Sequence, residues 1–114
     1  MPFLKIQTNQ LLDEIQQNQL LSEASQLVAH ELGKPEDYVM VTIEPPVPMS
    51  FAGNTDPTAY LELKSIGLPE SKTKDLSNAL CRLIKNKTNI GKERVYIEFT
   101  DATRTMWGWN GGTF

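Results

Sequence analysis

Val95-Tyr96-Ile97-Glu98-Phe99 puts Val95, Ile97 and Phe99 on one face of a strand, and Val39-Met40-Val41-Thr42-Ile43 repeats the alternation about 56 positions earlier. Each run follows an amphipathic helix. The first helix carries the stripe Leu20, Leu21, Ala24, Leu27, Val28 and Leu32, and the second carries Leu76, Ala79, Leu80, Leu83 and Ile84. Each helix in turn follows an apolar run, Phe3 to Gln7 in one case and Ala59 to Ile66 in the other. At the same offset Leu27 falls on Leu83, Val39 on Val95, Val41 on Ile97 and Ile43 on Phe99. The chain therefore reads as one α+β domain over residues 1–114, built from a βαβ unit used twice, about 1–44 and 58–100. Right-handed crossovers place both helices on one face of a four-stranded mixed sheet.

Local signals set the boundaries. Gly33 and Pro35 stop the first helix. Its start is open: Leu11, Leu12 and Ile15 extend the stripe backwards, while Asn18 is a plausible N-cap. The next strand is expected over Tyr38 to Glu44, ended by Pro45, Pro46 and Pro48. Residues 45–57 then form a loop with four prolines and Gly53. Pro69 suits the first turn of the second helix, and Gly91 follows its end. Thr100 to Arg104 reads as a polar tail leading to a tryptophan-containing terminus.

The face opposite the helices carries Met40, Thr42, Tyr60, Glu62, Lys64, Tyr96 and Glu98. That mixture is too polar for a dry core and holds more aromatic area than a plain solvated surface. It faces either water or a partly wet subunit interface, and an interface would also receive the rings of the terminus.

Composition excludes several classes. The 114 residues hold 11 Lys and Arg against 14 Asp and Glu, a net charge of −3. No basic face for nucleic acid or an anionic membrane is expected. One cysteine, Cys81, rules out an intrachain disulfide, and one histidine beside it makes a zinc site improbable. Cys81 reads as a buried small hydrophobe on the second helix, and His30 as a helix-end cation. No run is long enough for a membrane helix, and the first residues lack the apolar core of a signal peptide, so a cytoplasmic protein is expected.

Pro2 carries the candidate chemistry. Removal of Met1, favoured by a small second residue, exposes a secondary amine. An α-amino group has a reference pKa of about 7.7–8.0, and burial or a nearby cation lowers it. A neutral amine near pH 7 is a competent general base. The plain alternative is that Pro2 starts a strand where no ladder donor is needed.

Met1-Pro2-Phe3-Leu4, Gly33-Lys34-Pro35 with Tyr38, Ser65-Ile66-Gly67, Arg94-Val95-Tyr96-Ile97 and Gly108-Trp109-Asn110-Gly111-Gly112-Thr113-Phe114 occur in order across nearly the whole chain. In residues and spacing the sequence resembles the macrophage migration inhibitory factor family of the tautomerase superfamily. The resemblance implies a homotrimer whose sheets surround a central channel, with three active sites at subunit boundaries. It implies keto–enol tautomerisation of phenylpyruvate-like α-keto acids, and often of dopachrome analogues, without cofactor or metal. Pro2 matches the catalytic base. Lys34 matches the residue that holds the substrate carboxylate, and Ile66 the position that offers its backbone N–H to it. Tyr96 matches a hydroxyl donor from the neighbouring subunit. Tyr38, Trp109 and Phe114 match the aromatic wall.

Three departures bear on that reading. Glu98 stands where well-known mammalian members have asparagine at the pocket edge. A carboxylate there raises the Pro2 pKa and repels an anionic substrate, or pairs with Lys34, or faces the channel. Trp107 replaces a small aliphatic residue and narrows the pocket or stiffens its lid. Thr58-Ala59-Tyr60-Leu61 occupies the stretch of a Cys-x-x-Cys motif, so thiol–disulfide chemistry through it is excluded. A competing expectation is a cytokine-like ligand that binds a protein receptor, exported without a signal peptide, as animal members of the family are.

Overall fold

The computed structural model describes residues 1–114. The main elements are β1 (Phe3–Thr8), α1 (Glu14–Leu32), β2 (Met40–Ile43), β3 (Ala59–Ile66), α2 (Thr73–Thr88) and β4 (Val95–Ala102), followed by a small hairpin of β5 (Gly108–Trp109) and β6 (Gly112–Thr113). The large sheet runs β2-β1-β3-β4. β1 pairs parallel with β2 and antiparallel with β3, and β3 pairs parallel with β4. This is the expected doubled βαβ unit, with the two first strands side by side at the centre.

The core lies between the sheet and the two helices. Leu4, Ile6, Leu61 and Leu63 rise from the strands to meet Leu20, Ala24 and Val28 of α1 and Leu76, Leu80 and Ile84 of α2, all essentially inaccessible. Truncating any one of these leucines to alanine removes about 2–5 kcal/mol. A Lys87–Glu23 ion pair joins the helices at the surface. Lys72 Nζ also donates to the Glu31 carbonyl oxygen at 3.1 Å.

Several local expectations need correction. α1 starts at Glu14, capped by Asp13 rather than Asn18. Asp13 Oδ1 accepts from the Gln16 amide at 2.7 Å, and Gln16 Oε1 accepts from the Asp13 amide at 3.0 Å, a reciprocal capping box. Two satisfied donors outweigh the single one that Asn18 offers. The strand expected from Tyr38 begins only at Met40, because Pro35 opens a 3₁₀ turn over Glu36–Tyr38. Pro69 precedes a 3₁₀ turn (Glu70–Lys72) instead of lying in α2. Gly91 does follow the end of α2, while the cap itself is Asn89 in the left-handed conformation (φ 64°). Thr100 and Asp101 are strand, not tail. They pair with Lys64 and Ser65, and Asp101 Oδ1 accepts from the Leu68 amide at 3.0 Å. Cys81 is half-buried, not core, and burial pushes its thiol up in spite of Ser77 and Lys92 nearby.

The open sheet face has the expected composition. Register sets it in rows: Gln7, Tyr60 and Tyr96; then Thr42, Lys5, Glu62 and Glu98; then Met40, Phe3, Lys64 and Thr100. The Tyr60 hydroxyl lies 3.0 Å from Glu98 Oε2 and 3.2 Å from Glu62 Oε1, and donates its one proton to either. Desolvation, then the hydrogen bond to Glu98 and the charge of Glu62, push the Tyr60 phenol up to about 12.

Candidate active site

The Pro2 end of the sheet forms a cleft of about 470 Å³, a size suited to a small ligand. Pro2 is fully buried at its floor, and its carbonyl accepts from the Met40 amide at 3.0 Å, which pins the start of β1 to the edge strand β2. Met1, Phe3, Val39, Met40 and Lys64 line the cleft beside it. Asp37, Tyr38, Trp107, Gly108, Trp109 and Phe114 complete it.

Two local devices raise the aromatic wall. The 3₁₀ turn opened by Pro35 presents Tyr38 at the mouth. The β5–β6 hairpin turns through Asn110 (φ 52°) and Gly111 (φ 79°), the pair of left-handed residues that a two-residue hairpin of this hand requires. The Phe114 amide donates to the Trp107 carbonyl at 3.2 Å and folds the terminus back. Trp109 and Phe114 stack with centroids 5.5 Å apart at 12°. Tyr38 meets both edge-on, at 5.5 Å and 6.1 Å. Such pairs are worth about 0.5–1.5 kcal/mol each beyond their buried area, so the wall is a preformed unit.

Lys34 follows the left-handed Gly33 (φ 62°) that ends α1, and its amide donates to the Ala29 carbonyl at 2.9 Å. Its ammonium lies over Gly67, 4.0 Å from where a β-carbon would stand there. Gly67, at φ 70°, keeps that approach open next to Ile66. The Met1 amine is held below its ordinary value of 8.0, first by burial and then by the charges of Lys34 and Arg104. The region therefore combines an apolar wall, a partly desolvated terminal amine and cations, a setting for proton transfer on a small anionic molecule. No cluster of three or more His, Cys, Asp or Glu side chains converges anywhere in the chain to hold a metal ion.

The structure thus gathers Pro2, Tyr38, Trp107, Trp109 and Phe114 in one cleft, with Lys34 close to its floor. Ile66 is buried beside Gly67 and does not line it. Tyr96 and Glu98 lie elsewhere. Tyr96 pairs with Tyr60, which faces Gln7 at the far end of β1 from Pro2. It is 65% exposed, with its ring edge-on to Phe51 at 4.8 Å. Glu98 is engaged with Tyr60, so it forms no pair with Lys34 in its own chain. Sequence reasoning had not assigned Met1, Phe3, Asp37, Val39, Met40, Lys64, Gly108 or Arg104 to the site. The Phe3–Lys64 register that places Lys64 there follows from strand pairing, which no local signal encodes.

No helix is long and apolar enough to cross a membrane. The family model for macrophage migration inhibitory factor matches residues 1–114. The crystal structure of a macrophage migration inhibitory factor homologue from Prochlorococcus marinus is 44% identical, with a TM-score of 0.93 and 98% of each chain covered. The protein from Toxoplasma gondii superposes with a TM-score of 0.94 at 32% identity, covering 98% of this chain and 99% of that one. Macrophage migration inhibitory factor of Xenopus tropicalis is 39% identical over 115 residues, which span 100% of this chain and 99% of the relative. With its doubled βαβ sheet and its cleft at Pro2, the chain belongs to the macrophage migration inhibitory factor family of the tautomerase superfamily.

Proposed function

We propose that the protein is a keto–enol tautomerase of phenylpyruvate-like aromatic α-keto acids, with the Pro2 amine, freed by removal of Met1, as general base. The observation that carries this is a fully buried Pro2 under a stacked aromatic wall, in a region where burial and two cations depress an amine. Once Met1 is gone, the Pro2 nitrogen is the amine that those influences act on. A neutral amine takes the enol proton and returns it to the carbon beside the carbonyl, so the chemistry needs no cofactor. Tyr38, Trp109 and Phe114 receive the aryl ring, and Trp107 closes the pocket from the side. Lys34 holds the carboxylate by a charge-assisted hydrogen bond, with the Ile66 N–H as its second donor.

Tyr96 enters from a neighbouring subunit of a homotrimer. Its distance along the sheet from its own Pro2 supports that reading, because the Gln7 row lies five residues along β1 from Pro2, at about 3.3 Å per residue. Glu98, held by Tyr60, then sits at the edge of the neighbour's pocket and shapes substrate preference.

The test is phenylpyruvate ketonisation by protein whose intact mass shows Met1 removed, beside Pro2→Gly. The variant should lose about 10²–10⁴-fold in kcat/KM, the usual contribution of a positioned base. The acid limb of the kcat/KM–pH profile should lie below the ordinary amine value of 8.0. Absence of turnover in correctly processed trimer would sink the assignment.

A further inference from the structure

Lys64 is the cleft cation to which neither strand pairing nor the proposed reaction gives a partner. Its side chain is half-buried and lines the cleft with Pro2 and Phe3. Its row on the open face is Met40, Phe3, Lys64 and Thr100, which contains no negative charge. Glu62, two residues back on the same face, is turned to the Tyr60 hydroxyl. The only ion pair of the chain joins Lys87 and Glu23, far from here in the helical layer. Asp37 is the one acidic side chain of the same chain lining the cleft, and it is exposed at the rim, where water and salt screen it. The Glu98 that the proposed trimer brings to the pocket edge is already engaged by its own Tyr60 hydroxyl.

The two lysines reach the Pro2 end of the sheet from different layers. Lys34 comes from the end of α1 and lies over Gly67, just past the end of β3. Lys64 stands within β3 on the opposite, open face, directly across from Phe3. A substrate carboxylate on Lys34 leaves Lys64 unanswered. A partly desolvated ammonium without a partner is a strong attractor for a second anionic group.

We propose that Lys64 determines specificity in this cleft by selecting aromatic acids with a second anionic group remote from the first. The inference rests on the reading of the cleft as the substrate site, and it deepens it: the preferred substrate class is an aryl α-keto acid whose ring bears a carboxylate or similar anion. Lys64 binds the remote group and takes no part in proton transfer.

Binding tests this separately from turnover. Trp107 and Trp109 line the cleft, so their fluorescence reports occupancy. The probes are 4-carboxyphenylacetate, a dianion, and 4-methylphenylacetate, a monoanion of similar shape. The wild-type protein should bind the dianion roughly tenfold or more tightly, the range of one charge-assisted hydrogen bond. Lys64→Gln should erase that preference, and Lys64→Arg should keep it. An equal preference in wild type and Lys64→Gln overturns the proposal, as does a wild-type protein that does not prefer the dianion. A protein inactive on phenylpyruvate but with a Lys64-dependent preference upholds Lys64 and overturns the reaction. An active protein without that preference does the reverse.

Discussion

The two βαβ units share a backbone plan but use their corresponding ends differently. Pro2 precedes β1 as Thr58 precedes β3, Gly33 ends α1 as Asn89 ends α2, and the turn ending at Tyr38 corresponds to the turn ending at Arg94. In the second unit this end is sealed. Thr58 Oγ1 donates to the Arg94 carbonyl at 2.7 Å, and the Thr58 carbonyl accepts from Thr8 at 2.7 Å. The Arg94 guanidinium donates to the carbonyls of Phe51, Asp56 and Pro57 and covers the Phe51 ring at 5.2 Å. Ile90, at the position of Lys34, is buried. In the first unit the same place holds a proline without a donor, a free lysine and a tyrosine edge-on to two rings. A cleft persists where the fold leaves its end groups unspent, and disappears where hydrogen bonds consume them.

Exchanging the matched residues should break this contrast most severely. Ile90→Lys forces a charge into the sealed end, at a cost of several kcal/mol against a total stability of about 5–15 kcal/mol. Loss of a cooperative urea transition by circular dichroism is expected. The reciprocal Lys34→Ile should fold normally and lower kcat/KM on phenylpyruvate on the order of 10–100-fold. An Ile90→Lys protein of unchanged stability would refute the contrast.

A milder pair sharpens it. Arg94→Ala should cost about 2 kcal/mol in urea unfolding, since it leaves three carbonyls without a charged donor. Tyr38→Ala should cost about 1 kcal/mol while raising KM, the lower end for two ring pairs that are partly exposed. Equal stability losses in the two variants would mean that the open end is as structural as the sealed one.

The smallest effect concerns the open sheet face. The Tyr60 phenol, pushed up to about 12, binds its proton more tightly folded than unfolded. A raised folded value gives stability that is complete below the unfolded pKa of about 10 and is lost as pH rises through the folded one. Stability should therefore decline between about pH 10 and 12, and Tyr60→Phe should flatten that decline.

Sequence patterning captured what short range determines. β3 was readable to the residue because alternation runs from Ala59 to Lys64 and Gly67 then turns the chain at φ 70°. Pro2, Tyr38, Trp109 and Phe114 were legible as a site through resemblance, and the cleft does bring them together. Misreadings arose where two local signals compete. Tyr38-Val39-Met40 has the composition of a strand, yet Pro35 commits the first of them to a turn. Asp13 and Gln16 carried a capping-box spacing that Asn18 obscured. The polar Thr100 and Asp101 gave no strand signal, because their place in β4 depends on partners in β3. Lys64 and Arg104 were illegible as site residues for a similar reason. Their nearness to Pro2 is a product of register and of the chain's return, not of spacing along it.

Placing β1 at the centre of the sheet has a temporal consequence. Its partners are residues 40–43 and 59–64, so during synthesis the strand leaves the ribosome long before either side of it exists. At about 5–20 residues per second, the sixty-odd residues needed take roughly 3–13 s. Throughout that interval the first residues are an unpaired tail, open to an aminopeptidase. Once β3 arrives, Pro2 is buried and the scissile bond is drawn into the cleft. The order of strands in the sheet thus sets a deadline for exposing the amine on which the proposed chemistry depends.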